Sequence, residues 1–139
     1  MTYISAYLTF NGNCRKAMTF YQECLGGDLF FQTVGESPLS GKMPRRVKDF
    51  IVHSTLTKDN ILLLQGSDMA PQTGLVKGNN VSLALNCSSE EEIRALYTKL
   101  SRGGKANHPI ADTFWGAMFG DLTDKFGNHW LLHFNKDQK

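Results

Sequence analysis

The chain has little of what marks the more specialised protein classes. Its three cysteines, Cys14, Cys24 and Cys87, are an odd number and form no C-x-x-C pair. That argues against a zinc ribbon or a dithiol redox motif and for reduced, buried thiols in a cytoplasmic protein. No apolar run approaches the length that spans a bilayer, and Met1-Thr2-Tyr3 opens no signal-peptide pattern, so no membrane partner is expected. The formal net charge of +2 is too small to argue for nucleic acid. Lys42, Arg45, Arg46 and Lys48 form the one dense basic cluster, which reads as a solvated loop. G-x-S-x-G, H-E-x-x-H and Walker sequences are absent. The acidic runs have structural readings, Glu90-Glu91-Glu92 as a helix first turn and Asp121 with Asp124 as a hairpin turn.

What is present is an internal repeat. S-A-Y-L-T-F (Ser5 to Phe10) precedes a helix-like run that closes on Gly26-Gly27. About 77 residues later, S-L-A-L-N-C (Ser82 to Cys87) precedes a second such run, closing on Gly103-Gly104. A period this long is no solenoid unit. At 139 residues the chain reads as one domain over 1–139, with module one at about 3–67 and module two at about 79–134.

Each half carries the same element signals. Ile4, Ala6, Leu8 and Phe10 alternate with more polar neighbours, a period-two strand. Asn13 is placed to cap the helix that follows. Ala17, Phe20, Tyr21, Cys24 and Leu25 then make one apolar stripe, and the paired glycines end it. Leu29 to Val34 reads as a strand and 36–48 as a polar loop. Phe50 to Thr57 and Ile61 to Gln65 read as a hairpin turned at Lys58-Asp59-Asn60. Residues 66–79, with Pro71, are the expected connector. In the second half, Ser88 or Ser89 with Glu91 or Glu92 makes a capping box, and Ile93, Leu96, Tyr97 and Leu100 form the stripe. A strand over Lys105 to Ile110 and a hairpin of Trp115 to Thr123 with Asn128 to Phe134 complete it. Each half is therefore β-α-β-β-β, in the α+β class.

Strand parity divides each sheet into a helix-covered face and an open one. Two such sheets curling toward each other form a curved eight-stranded sheet around a cleft. The expected cleft lining is Ser5, Tyr7 and Thr9 with Ser82, Ala84 and Asn86 from the first strands. Ile61, Leu63 and Gln65 with His129, Leu131 and His133 come from the last strands, so that Gln65 is the mate of His133. Trp130, Leu132 and Phe134 then face the helix.

Y-L-T-F-N-G-N-C-R-K-A-M-T-F-Y (Tyr7 to Tyr21), G-N-N-V-S-L-A-L-N-C-S-S-E-E-E-I (Gly78 to Ile93) and D-T-F-W-G-A-M-F-G-D-L-T-D-K-F-G-N-H-W (Asp112 to Trp130) resemble the vicinal oxygen chelate superfamily of glyoxalases, bleomycin resistance proteins and dioxygenases. The closer resemblance is to its PhnB-like branch. The resemblance implies a homodimer. It also implies a divalent metal held by one residue from the first and one from the last strand of each module, usually His and Glu. Those positions fall here on Ser5, Leu63, Ser82 and Leu131, and two hydroxyls with two leucines cannot replace imidazoles and carboxylates. No metal cofactor is therefore expected. PhnB-like proteins have been labelled as methyltransferases of ubiquinone synthesis. This chain lacks the G-x-G turn between strand and helix that would hold an adenosyl cofactor.

His129 and His133 share a strand face, and His53 comes from a neighbouring strand. No carboxylate falls on those faces by parity, and residues i and i+4 of a strand lie about 13 Å apart. These histidines read as polar anchors or proton carriers, and His108 as solvated. Tyr7 reads as a pocket residue. Trp115 reads with equal weight as packing or as a ligand-stacking wall. Ser5 or Ser82 as a nucleophile would need a base, for which His133 is placed. The expected function is binding of a small molecule, not yet named, in the cleft. The alternative is a lyase or isomerase using His129 or His133 as acid-base, or a rebuilt metal site.

Overall fold

Both repeats fold as strand, helix and three further strands. The computed structural model describes residues 1–69 and 74–136. It divides into two compact units, Met1–Val76 and Lys77–Lys139. The first holds β1 (Tyr7–Thr9), α1 (Cys14–Leu25), β2 (Asp28–Thr33), β3 (Ile51–Lys58) and β4 (Ile61–Ser67). The second holds β5 (Leu83–Asn86), α2 (Glu90–Ser101), β6 (Lys105–Asp112), β7 (Ala117–Thr123) and β8 (His129–Asn135). The eight strands form two mixed four-stranded sheets, ordered β1-β4-β3-β2 and β5-β8-β7-β6. In each, the first strand runs parallel to the last and the other pairings are antiparallel.

The helices form where the apolar stripes dictate. α1 packs on β2, β3 and β4 through Cys14, Ala17, Phe20, Tyr21 and Cys24, all buried. α2 packs on β6, β7 and β8 through Ile93, Tyr97 and Leu100. Opposite them, Leu56 and Leu64 are buried in the first sheet and Leu122, Trp130 and Leu132 in the second.

Helix α1 is capped differently from the sequence expectation. Asn13 makes no side-chain cap bond. The cap comes from the residue that follows β4, where Asp68 Oδ1 accepts the backbone N–H of Gly12 and of Cys14, each at 2.9 Å. Helix α2 is capped locally. Ser89 Oγ accepts the Glu92 N–H at 3.0 Å, while Glu92 Oε1 reaches back to the Ser88 N–H at 2.9 Å.

The first strand is shorter than its alternation suggests. Pairing to β4 starts at the Gln65 N–H to Ala6 carbonyl bond, which leaves Ile4 exposed. The 36–48 loop contains two 3-10 turns, Ser40–Lys42 and Arg45–Val47. Of the expected connector, Gly66 and Ser67 belong to β4, and Pro71 lies outside the described residues.

Candidate functional site

Each sheet covers one face with its helix and leaves the other open. In the first module the open face carries a row of Tyr7 (β1), Gln65 (β4), Thr55 (β3) and Phe30 (β2), each directly across from the next. Tyr7 and Phe30 are exposed there. Gln65 Nε2 donates to Ser5 Oγ at 3.0 Å, tying the N-terminal segment to this row. His53 lies across from Gln32, outside that row. Leu63 sits where the β3–β4 register slips between Leu56 and Thr57, so it has no direct partner on β3.

The observed register corrects how the two closing strands correspond. Tyr7 lies opposite Gln65, and its repeat mate Ala84 lies opposite Leu131. The N–H groups of Phe10 and Cys87, also repeat mates, donate to the carbonyls of Ser67 and His133. Gln65 therefore answers Leu131, Leu63 answers His129, and Ser67 answers His133. The expectation that paired Gln65 with His133 and Leu63 with Leu131 is two residues out. The two closing hairpins are built differently over the same span. Strands β3 and β4 join through Asp59 and Asn60 alone, both at positive φ, whereas Thr123 and His129 bracket a longer loop. Leu63, the unpaired extra residue of β4, makes up the spacing, so Thr57 to Gln65 and Thr123 to Leu131 run equally far along the chain.

The four positions from which the resemblance implies a metal are then Ser5, Gln65, Ser82 and Leu131. Ser5 and Gln65 are bonded to each other, with the amide N–H turned toward the hydroxyl. Leu131 has no donor atom at all. Two hydroxyls and one amide are weak neutral ligands, so these residues do not fit a tightly held divalent cation. Among the described residues, no group of three or more His, Cys, Asp or Glu side chains could hold a metal ion.

The second module's open face holds a polar cavity of about 230 Å³. Three expected residues line it: Ser82, His129 and Leu131. Four that the sequence reading missed line it too: Asn79, Asn107, His108 and Asp121. Asp121 is not a turn residue. It lies on β7 between His108 on β6 and Leu131 on β8. Its Oδ1 is 2.8 Å from His108 Nδ1. So the open face does carry a carboxylate, and His108, though exposed, is paired rather than merely solvated. The missed signal was parity itself, since Asp121 and Thr123 alternate with the buried Leu122.

His129 is held from the side. Its Nδ1 is 3.0 Å from Thr123 Oγ1, which in turn donates to Asn107 Oδ1 at 2.9 Å. His133 is outside the cavity lining, across from Asn86 and Phe119. The histidine sharing the cavity with Ser82 is His129, not the His133 expected as its base. Trp115 also stands apart. It sits in the β6–β7 turn, 55 % exposed, edge-on to Phe114 at 5.0 Å between ring centroids.

The buried thiols lie on the helix side. Burial pushes the Cys14 thiol up to about 11 against a lowering hydrogen bond from Ser54, and burial likewise pushes Cys87 up to about 11. Neither is poised as a nucleophile.

Two β-α-β-β-β modules, each with a helix-backed sheet and an open face, define the paired-module class of α+β folds. The Glyoxalase/Bleomycin resistance protein/Dioxygenase superfamily model matches residues 4–132, and the chain belongs to that superfamily. It is 29 % identical to Protein YjdN of Escherichia coli (strain K12), covering 97 % of each chain. The crystal structure of protein PA1353 from Pseudomonas aeruginosa is 36 % identical with a TM-score of 0.85, covering 99 % of this chain and all of that one. A Bacillus cereus PhnB protein, described as a putative 3-demethylubiquinone-9 3-methyltransferase, shares the fold at 24 % identity and a TM-score of 0.73, with 96 % and 99 % of the chains covered.

Proposed function

We propose that this PhnB-like glyoxalase-fold protein binds a small molecule on the open face of its sheets without the superfamily's usual divalent metal. The observation that carries this reading is the polar cavity beside His129, Asp121 and Ser82, next to a ligand position occupied by Leu131. Such concave sites with a few converging polar groups are where small ligands are held. Tyr7 and Gln65 offer the corresponding surface on the first sheet. A homodimer in the cytoplasm belongs to the same reading. The three free cysteines and the exposed Phe114–Trp115 pair support it.

A second reading, a lyase or isomerase, draws on one observation. His129 is held at Nδ1 by Thr123, as an acid-base histidine needs to be.

A thermal-shift screen with metals, metabolites and antibiotics tests the primary reading. A ligand present at a hundred times its dissociation constant stabilises by about 2.7 kcal/mol. A hit whose shift survives chelator, and is lost in Leu131→Arg, supports the proposal. Stabilisation only by a divalent metal contradicts it.

A further inference from the structure

Two histidines line the same cavity, and each has its Nδ1 already committed. His108 Nδ1 meets the Asp121 carboxylate, which can only accept, so Nδ1 carries the proton. His129 Nδ1 meets Thr123 Oγ1, whose single hydrogen goes to Asn107 Oδ1. The threonine oxygen can then only accept from His129, so that Nδ1 carries the proton as well. Two unrelated devices thus fix the same tautomer, and in the neutral rings both Nε2 atoms are left as lone-pair acceptors. Among the described residues neither Nε2 has a protein partner.

The cavity therefore offers two open imidazole acceptors beside the Asp121 carboxylate, and its donors, the amides of Asn79 and Asn107 and the Ser82 hydroxyl, are all neutral. Its charged lining group is the Asp121 carboxylate, and no Lys or Arg lines it. A bare carboxylate ligand would find only neutral donors there and would face the Asp121 charge. An ammonium or other N–H-rich cation would meet partners for its hydrogens and a counter-charge. We propose that the second module's cavity recognises a small amine in its ammonium form, through Nε2 of His108 and His129 and the carboxylate of Asp121. This deepens the proposed small-molecule role and rests on it.

The test is nitrogen NMR of the 139-residue chain uniformly labelled with 15N, titrated with n-butylamine and, separately, with butyrate. In their neutral form, His108 and His129 are expected to show a protonated Nδ1 and an unprotonated Nε2. n-Butylamine should shift both Nε2 signals saturably, and butyrate should not. Asp121→Asn should weaken amine binding at least tenfold. Thr123→Val should move His129 toward the other tautomer and weaken the amine several-fold, while Thr123→Ser restores both. An Nε2-protonated His129, or preferential binding of butyrate, overturns the inference. If the amine shifts signals of Tyr7 and the Gln65 amide on the first sheet and leaves both histidines unmoved, this inference fails while the small-molecule reading stands. Stoichiometric divalent metal that broadens or shifts the open-face histidines contradicts the reading itself.

Discussion

Asp68 and Asp124 show how single carboxylates hold each module together. Asp68 is 5 % exposed and accepts three backbone N–H groups, those of Gly12, Cys14 and Ile51, at 2.8–2.9 Å. It joins the end of β4 to the start of α1 and of β3. Asp124 accepts from the backbone of Phe126 and Asn128 and from Trp130 Nε1, organising the β7–β8 turn around the largest core side chain. Removing an acceptor from buried donors leaves their desolvation uncompensated. Asp68→Ala should cost about 3 kcal/mol in urea unfolding, and Asp68→Asn, which keeps one acceptor oxygen, about half of that. An effect below 1 kcal/mol for Asp68→Ala would show that the cap is dispensable.

The buried thiols make a second residue-scale prediction. Cys14 and Cys87 are raised from 9.0 to about 11, and burial also raises Tyr97. Well below pH 9 the thiols are protonated in both folded and unfolded chains, and they leave stability unaffected. Between pH 9 and 11 the unfolded chain releases protons that the folded chain keeps, so stability falls with rising pH. The loss is on the order of 1–3 kcal/mol per thiol. Urea midpoints measured from pH 7 to 11 should drop over that window, and the drop should shrink in Cys14→Ala/Cys87→Ala. A flat profile in the parent would contradict the account.

At the scale of elements, the paired glycines do more than end helices. Gly27 has φ 97°, and a Cβ there would lie far inside contact with the Thr57 carbonyl oxygen. Gly104 stands in the same relation to the Thr123 carbonyl. In both modules the chain leaving the helix passes against the end of the sheet's central hairpin, and only a residue without Cβ lets it pass. Gly104→Ala should therefore destabilise by about 2–4 kcal/mol, whereas Gly41→Ala, whose Cβ meets open space, should stay within about 0.5 kcal/mol. Equal effects in thermal unfolding would remove this explanation of the repeat. This correspondence also confirms the corrected register. Thr57 and Thr123 are matched by the glycines, and eight residues separate each from Gln65 and Leu131.

At the scale of the whole molecule, the repeat made the fold legible. Periods of two and 3.6 placed both α-helices and most of the eight strands among the described residues, because those elements pack one face and leave the other wet, whereas β6 is exposed along nearly its whole length. Relations between distant positions were not legible. The cap on α1 comes from Asp68, 54 residues from Cys14. The two-residue slip in the closing strands comes from the shorter first turn being offset by the unpaired Leu63, which strings of similar residues conceal. The candidate site was half legible. Ser82, His129 and Leu131 followed from β5 and β8, but β6 and β7 were never assigned faces, so His108 and Asp121 went unpaired. The consequence for function is specific. On the corrected register the implied ligand positions hold serine, glutamine, serine and leucine, and among the described residues the cavity's acid-base groups, His108, Asp121 and His129, all come from the second module.

That arrangement makes metal-independent ligand binding the central claim. Its most direct measurement is elemental analysis of the protein after stripping, reloading with zinc, nickel and manganese in turn, and desalting. The account predicts well under one equivalent of each metal per chain. One tightly retained equivalent of any of them, lost on changing Gln65 or Ser82 to alanine, would contradict it.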